Sequence, residues 1–213
     1  ESGQLGPFLR ELYIFRELLS FLVWKDIKVQ FAQTTLGLGW LILRPMLNVF
    51  VMTLVFGKIA KVPSDGAPYL LFALAGFMPW GYFQASVSKG AMSLVGNAAL
   101  VTKIYFPRIY IPVSIMLSGL VEFMVTFCLF LVASAFYGHL PPADIWMLPI
   151  PLFLLLLTTA GVSLWLASLA VDFRDVRYAT QYLMQMMMFA APVIWPLSLL
   201  PQRFGATGAH FLD

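Results

Sequence analysis

The chain has 213 residues, of which 61% are hydrophobic and 11% charged, with a mean hydropathy of +0.86. A water-soluble domain carries about 25% charged residues, so a chain this size and this apolar cannot cover its surface in water. The net charge of +3 is mild and calls for no nucleic-acid partner, and the single cysteine, Cys128, excludes an intramolecular disulfide.

The chain begins with Glu1, and its first residues lack the basic, apolar, small-residue order of a signal peptide. Residues 10–31 predict an amphipathic helix. Leu12, Phe15, Leu19, Leu22 and Val23 recur on one face, with Glu17, Ser20 and Lys28 opposite and Asp26 breaking the pattern. Arg10, Arg16, Lys25, Lys28 and Trp24 suit a helix lying in the headgroup layer.

Five apolar runs follow, each near the roughly 20 residues that cross a bilayer. The first spans about 36–56 and the second about 68–94, where Pro79 and Gly81 predict a kink or break. Residues 97–112 carry Lys103, Arg108, Pro107 and Pro112 among aromatics and predict a short helix or elbow at the interface. The third span covers about 113–137, the fourth 146–171 and the fifth, rich in methionine, 178–200. The fold class is therefore an all-α integral membrane protein, one transmembrane domain from 1 to 213. Lys/Arg placement orients it. With the N-terminus in the cytoplasm, Arg10, Arg16, Lys25, Lys28, Arg44, Lys89, Lys103, Arg108, Arg174 and Arg177 lie inside. Only Lys58, Lys61 and Arg203 lie outside.

No catalytic constellation emerges. His139 and His210 lack metal-ligand partners at usable spacing, and no phosphate-cradling GK[ST] loop or GxSxG elbow is present. No cofactor is expected in this chain. Glu122 is the one ionisable residue deep in a span. It is either a functional carboxylate or one satisfied by a neighbouring helix. Phe77, Trp80, Tyr82 and Phe83 form either helix packing with an interfacial belt or a surface on which sugar rings stack. The run Met184, Met186, Met187 and Met188 suits adaptable packing, and Asp172, Arg174, Asp175 and Arg177 suit a solvated loop with local ion pairs.

In order, these pieces resemble the permease subunit of ABC-2 type exporters of O-antigen, capsule and teichoic acid. The resemblance rests on LGLGWLILRP from Leu36 to Pro45 and NAALVTKIYFPRIYIP from Asn97 to Pro112. It extends to VEF around Glu122, FRDVRY from Phe173 to Tyr178 and APVIWP from Ala191 to Pro196. It implies a homodimer in the bacterial inner membrane with two separate ATPase subunits that hold ATP and Mg, moving a lipid-linked polysaccharide between the two permease copies. It also implies a sixth span, absent from these residues. By the same resemblance, Phe77, Trp80, Tyr82, Phe83, Met184 and Met187 would line the substrate channel. Lys103, Tyr105, Phe106, Pro107 and Arg108 would meet the ATPase, and Arg174 and Asp175 would sit in a cytoplasmic loop. The rival readings are an ABC-2 exporter of a drug or small lipid and an intramembrane lipid-modifying enzyme.

Overall fold

The computed structural model describes residues 16–32, 34–64, 66–103, 106–139 and 143–196. Among them every regular element is helical. Helix α1 is Arg16–Phe31. A 3-10 turn, Gly37–Gly39, leads into α2, Trp40–Met52, which widens into a π-helical segment, Thr53–Ile59. Then follow α3 (Tyr69–Ala91), α4 (Ser93–Gly96), α5 (Ala98–Lys103) and α6 (Tyr110–Phe136). A 3-10 turn, Ala143–Met147, precedes α7 (Pro149–Asp172), and α8 is Val176–Ala190.

Four helical stretches are long and apolar enough to cross a membrane: Gly37–Ile59, Tyr69–Ala91, Tyr110–Phe136 and Ile145–Asp172. They match the first four predicted spans to within a few residues, and the protein is a multi-pass membrane protein. The third starts at Tyr110, ahead of Pro112, because a proline in the first turn loses only an N–H that has no helical partner. The second runs through Pro79 without a break. Proline removes one hydrogen bond there, while packing against α6 and α7 holds both halves of α3 in line.

The predicted fifth span, about 178–200, is represented among the described residues by α8. Helix α8 has 15 residues, about 22 Å of rise against a hydrocarbon core of about 30 Å. It stops because Pro192 forces Ala191 into the extended region (ψ 149). Residues 191–196 form turns, and 197–200 lie outside the described residues.

Helix α1 also departs from expectation, and residues 10–15 of the predicted helix lie outside the described residues. Leu22 packs with Tyr110 and Ile111. One turn on, Asp26 accepts a hydrogen bond from Ser114 Oγ at 2.7 Å. One turn further, Gln30 Nε2 donates to Glu122 at 3.4 Å. Successive turns of α1 thus climb along α6. Asp26, which spoils the apolar face in sequence, is the residue that docks it. Phe21, Trp24 and Val29 are exposed, so apolar side chains occupy more than one face of α1.

Helix α3 is the hub, packed on α2, α6, α7 and α8. In lipid there is no hydrophobic drive between helices, so close backbone approach matters more. A Cβ at Gly90 would stand 2.9 Å from Ser163 Oγ of α7, and one at Gly119 of α6 would stand 2.9 Å from Ser86 Oγ. Gly76 faces the turn after α8: a Cβ there would lie 2.8 Å from Val193 O. The same turn is held by Tyr69, whose hydroxyl donates to Ile194 O at 2.9 Å. The hydroxyls of Ser118, Thr126, Thr159 and Thr180 donate to carbonyls three or four residues back on their own helices. They are satisfied without water.

Candidate functional site

A cavity of about 880 Å³ opens between α2, α3, α6 and α8. The helices deliver their polar residues to it at turn spacing. Arg44 and Asn48 come from α2, Gln84, Ser88 and Lys89 from α3, Glu122 and Thr126 from α6, and Gln181 and Gln185 from α8. Each pair at i, i+4 lies on one helix face. Four primary amides, Asn48, Gln84, Gln181 and Gln185, come from three of the bounding helices and supply both donors and acceptors that can pair with ligand hydroxyls. Apolar side chains, among them Leu47, Val49, Phe77, Phe123 and Met188, make up the larger part of the lining.

Glu122 sits 12 residues into α6, about 18 Å along its axis. Among the described residues it pairs with no cation directly. Gln30 bridges, with its amide nitrogen to Glu122 and its carbonyl accepting from Lys89 Nζ at 3.3 Å. Among the described residues the one ion pair is Lys25 with Asp26, at 3.4 Å. Arg44 instead stacks on the Trp40 ring, 5.6 Å from its centroid.

The aromatic cluster divides. Phe77 lines the cavity. Tyr82 touches it but is buried, its hydroxyl donating to Met116 O at 3.2 Å and its ring edge-on to Phe123. Trp80 does not line it. It is buried against Val193 and Ile194, with Phe83 beside it at 5.8 Å, and its Nε1 has no acceptor among the described residues. Met184 is buried, Met187 points elsewhere, and Met188 takes the cavity position. Trp80, Phe83, Met184 and Met187 thus do not line this cavity within the protomer. They pack or face outward because α3 turns Trp80 toward the turn after α8.

The 97–112 segment is a short helix and an elbow. Lys103 closes α5, and Tyr105 lies outside the described residues. Phe106, expected to meet the ATPase, is buried in this protomer against Leu22, Tyr110 and Ile111. It anchors α1 to α6. Arg108 is exposed. Arg174 and Asp175 occupy the exposed turn between α7 and α8, and the ion pairs expected among Asp172, Arg174, Asp175 and Arg177 do not form among the described residues.

Sequence reasoning missed the cavity's amides. Gln181 and Gln185 fall inside a run read as methionine-rich packing. Their i, i+4 spacing in a span was the available signal.

A polytopic helical protein with a half-open cavity among its spans, lined by apolar and polar side chains together, fits the class of membrane transport proteins. Residues 17–209 match the model of the ABC-2 type transporter family, and the chain belongs to that family. It is similar to the O-antigen export system permease protein RfbA of Myxococcus xanthus, 32% identical over 90% of this chain and 73% of the relative. A second RfbA, from Klebsiella pneumoniae, is 29% identical over the same shares. The polysialic acid transport protein KpsM of Escherichia coli is 21% identical over 84% of this chain and 70% of the relative.

Proposed function

We propose that the chain is the permease subunit of an ATP-driven exporter that moves a lipid-linked polysaccharide across a bacterial inner membrane. The observation that carries this reading is the amide-lined cavity, placed between spans in a chain that is 61% hydrophobic. Amide and hydroxyl groups in a membrane are costly unless something uses them, and sugar hydroxyls use them well. The relatives named for O-antigen export and polysialic acid transport support the same substrate class.

In this reading the chain is a transport subunit with the N-terminus in the cytoplasm. It pairs with a second copy and with two ATPase subunits that hold ATP and Mg. Helix α8 belongs to a fifth crossing, and α1 rides the cytoplasmic interface. Pro107 and the exposed Arg108 offer the ATPase a rigid, charged elbow, with Lys103 and Tyr105 just ahead of them. An exporter of a drug or small apolar lipid would leave the four amides of this cavity without a partner, and an intramembrane lipid-modifying enzyme would need clustered acidic or histidine groups.

The test is surface polysaccharide in cells that depend on this permease. Gln181→Leu with Gln185→Leu should lower export at least tenfold at unchanged membrane abundance. Arg108→Glu should lower co-purification of the ATPase without changing the permease itself. Full export from the double leucine variant would remove the cavity from the transport path.

A further inference from the structure

The first span changes its helical register before it ends. Over Thr53–Ile59 the backbone ladder widens from the α to the π pattern, closing with Ala60 N on Val55 O at 2.8 Å. Widening the turn in this way takes up about one extra residue. Both ends of the segment carry a cost. Thr53 Oγ1 is buried with no partner among the described residues, whereas Thr126, Thr159 and Thr180 each donate to a carbonyl one turn back. Lys61, just beyond, holds a left-handed backbone (φ 50) without being glycine. The segment meets two other elements. A Cβ at Gly57 would stand 3.0 Å from the Tyr69 ring of α3, so that ring rests on bare backbone. The Tyr69 hydroxyl reaches on to Ile194 O, and Phe56 packs against Trp80, Val193 and Ile194.

We infer that Thr53–Ile59 and Tyr69 form a latch on the turn after α8, held in the π register and released when the segment relaxes to α. Successive α-helical residues stand about 100° apart. Taking up the extra residue turns the segment by about that angle and brings Phe56 to the place of Gly57. Gly57 is the one residue of the run TLVFGKI without a Cβ, and a Cβ alone already crowds the ring. The Tyr69 ring must then swing away, and its hydroxyl leaves Ile194 O. Phe56 leaves Val193 and Ile194 in the same motion, so the turn loses two holds at once. Little opposes the rotation. Leu54, Val55 and Ile59 are exposed, and 6% of the best apolar window of this span is buried in the protomer. These side chains exchange one lipid contact for another. The backbone exchanges one ladder for another and leaves no group without a partner in the membrane. Rotation of the first span thereby becomes release of the turn. The latch concerns two states of the chain itself and goes beyond the export reading, whatever the chain carries.

The test uses the full chain in neutral detergent, with Cys128→Ser as background and Ile194→Cys as probe. The Ile194 side chain is buried, and its substitution leaves the carbonyl in place. The rate at which a small maleimide reacts there reads the released fraction. Tyr69→Phe, which removes only the hydroxyl, should speed the reaction about fivefold. Gly57→Ala, whose Cβ meets the ring, should speed it about tenfold or more. Deletion of Val55 takes out the extra residue, gives an α ladder and keeps Gly57 under the ring, so the reaction should slow about threefold. Deletion of Leu54 repeats this test at a second exposed position should the first chain not fold. Gly161→Ala, with open space at its Cβ, should change nothing. A second probe, Val87→Cys, at a fully buried position of α3, should stay unreactive in every variant. Unchanged rates in Tyr69→Phe and Gly57→Ala overturn the latch. So does a rise at Val87→Cys equal to that at Ile194→Cys, which would mark general unfolding. An unchanged or faster rate after the deletion, with Val87→Cys still unreactive, overturns the register switch.

Discussion

The first and second spans have the same length and opposite surroundings. Within its best apolar window Gly37–Ile59 is 6% buried inside the protomer, against 39% for Tyr69–Ala91. The first carries its large side chains outward: Leu38, Ile42, Met46, Phe50 and Leu54 are all exposed. The second buries small ones in its last two turns, where Ser86, Val87, Gly90 and Ala91 are closed in by α6 and α7, as well as the larger Leu71, Leu74, Trp80 and Tyr82 before them. The difference teaches that burial in a membrane follows fit rather than hydrophobicity. Lipid solvates leucine and phenylalanine as well as protein does, so the hub goes to the helix whose residues let backbones approach.

The comparison breaks most readily at Gly76. A valine there must displace the Val193 carbonyl, which is backbone and fixed by the turn. Gly76→Val should cost about 3 kcal/mol or more, read as loss of folded protein in the membrane and a lowered detergent melting temperature. Melting at the wild-type temperature would show that the turn after α8 is not clamped to α3.

A smaller effect is expected one contact away. Gly90→Ala should cost about 1–2 kcal/mol against Ser163, and Ser163→Gly in the same chain should recover at least half of it, since the two sites are in contact. Additive losses would mean the crowding lies elsewhere. On the first span, Phe50→Leu should shift stability by less than about 0.5 kcal/mol, because the side chain is 63% exposed. A larger loss that depends on protein concentration would sharpen the comparison by showing that a second copy covers this face.

Span positions were legible because 20 apolar residues leave few alternatives, and the family could be read from the order of short motifs. Helix packing was less legible. Gly76, Gly90 and Ser163 carry no periodic signal of their own, and their meaning lies in which helix stands opposite. Trp80 illustrates the limit. Its position in an aromatic run is visible in sequence, but its direction depends on the turn after α8, 113 residues away at Val193. Asp26 is the reverse case, a break in the local pattern that only α6 explains.

The turn-by-turn match of α1 to α6 has a mechanical consequence. Leu22 is gripped by Phe106, Tyr110 and Ile111, while Gln30 stands eight residues further on, about 12 Å along the axis. Pivoted at Leu22, α1 acts as a lever. A tilt of about 10° carries Gln30 roughly 2 Å, enough to part both of its hydrogen bonds, while the pivot hardly shifts. A push on the N-terminal end of α1 would therefore be felt at Lys89 and Glu122.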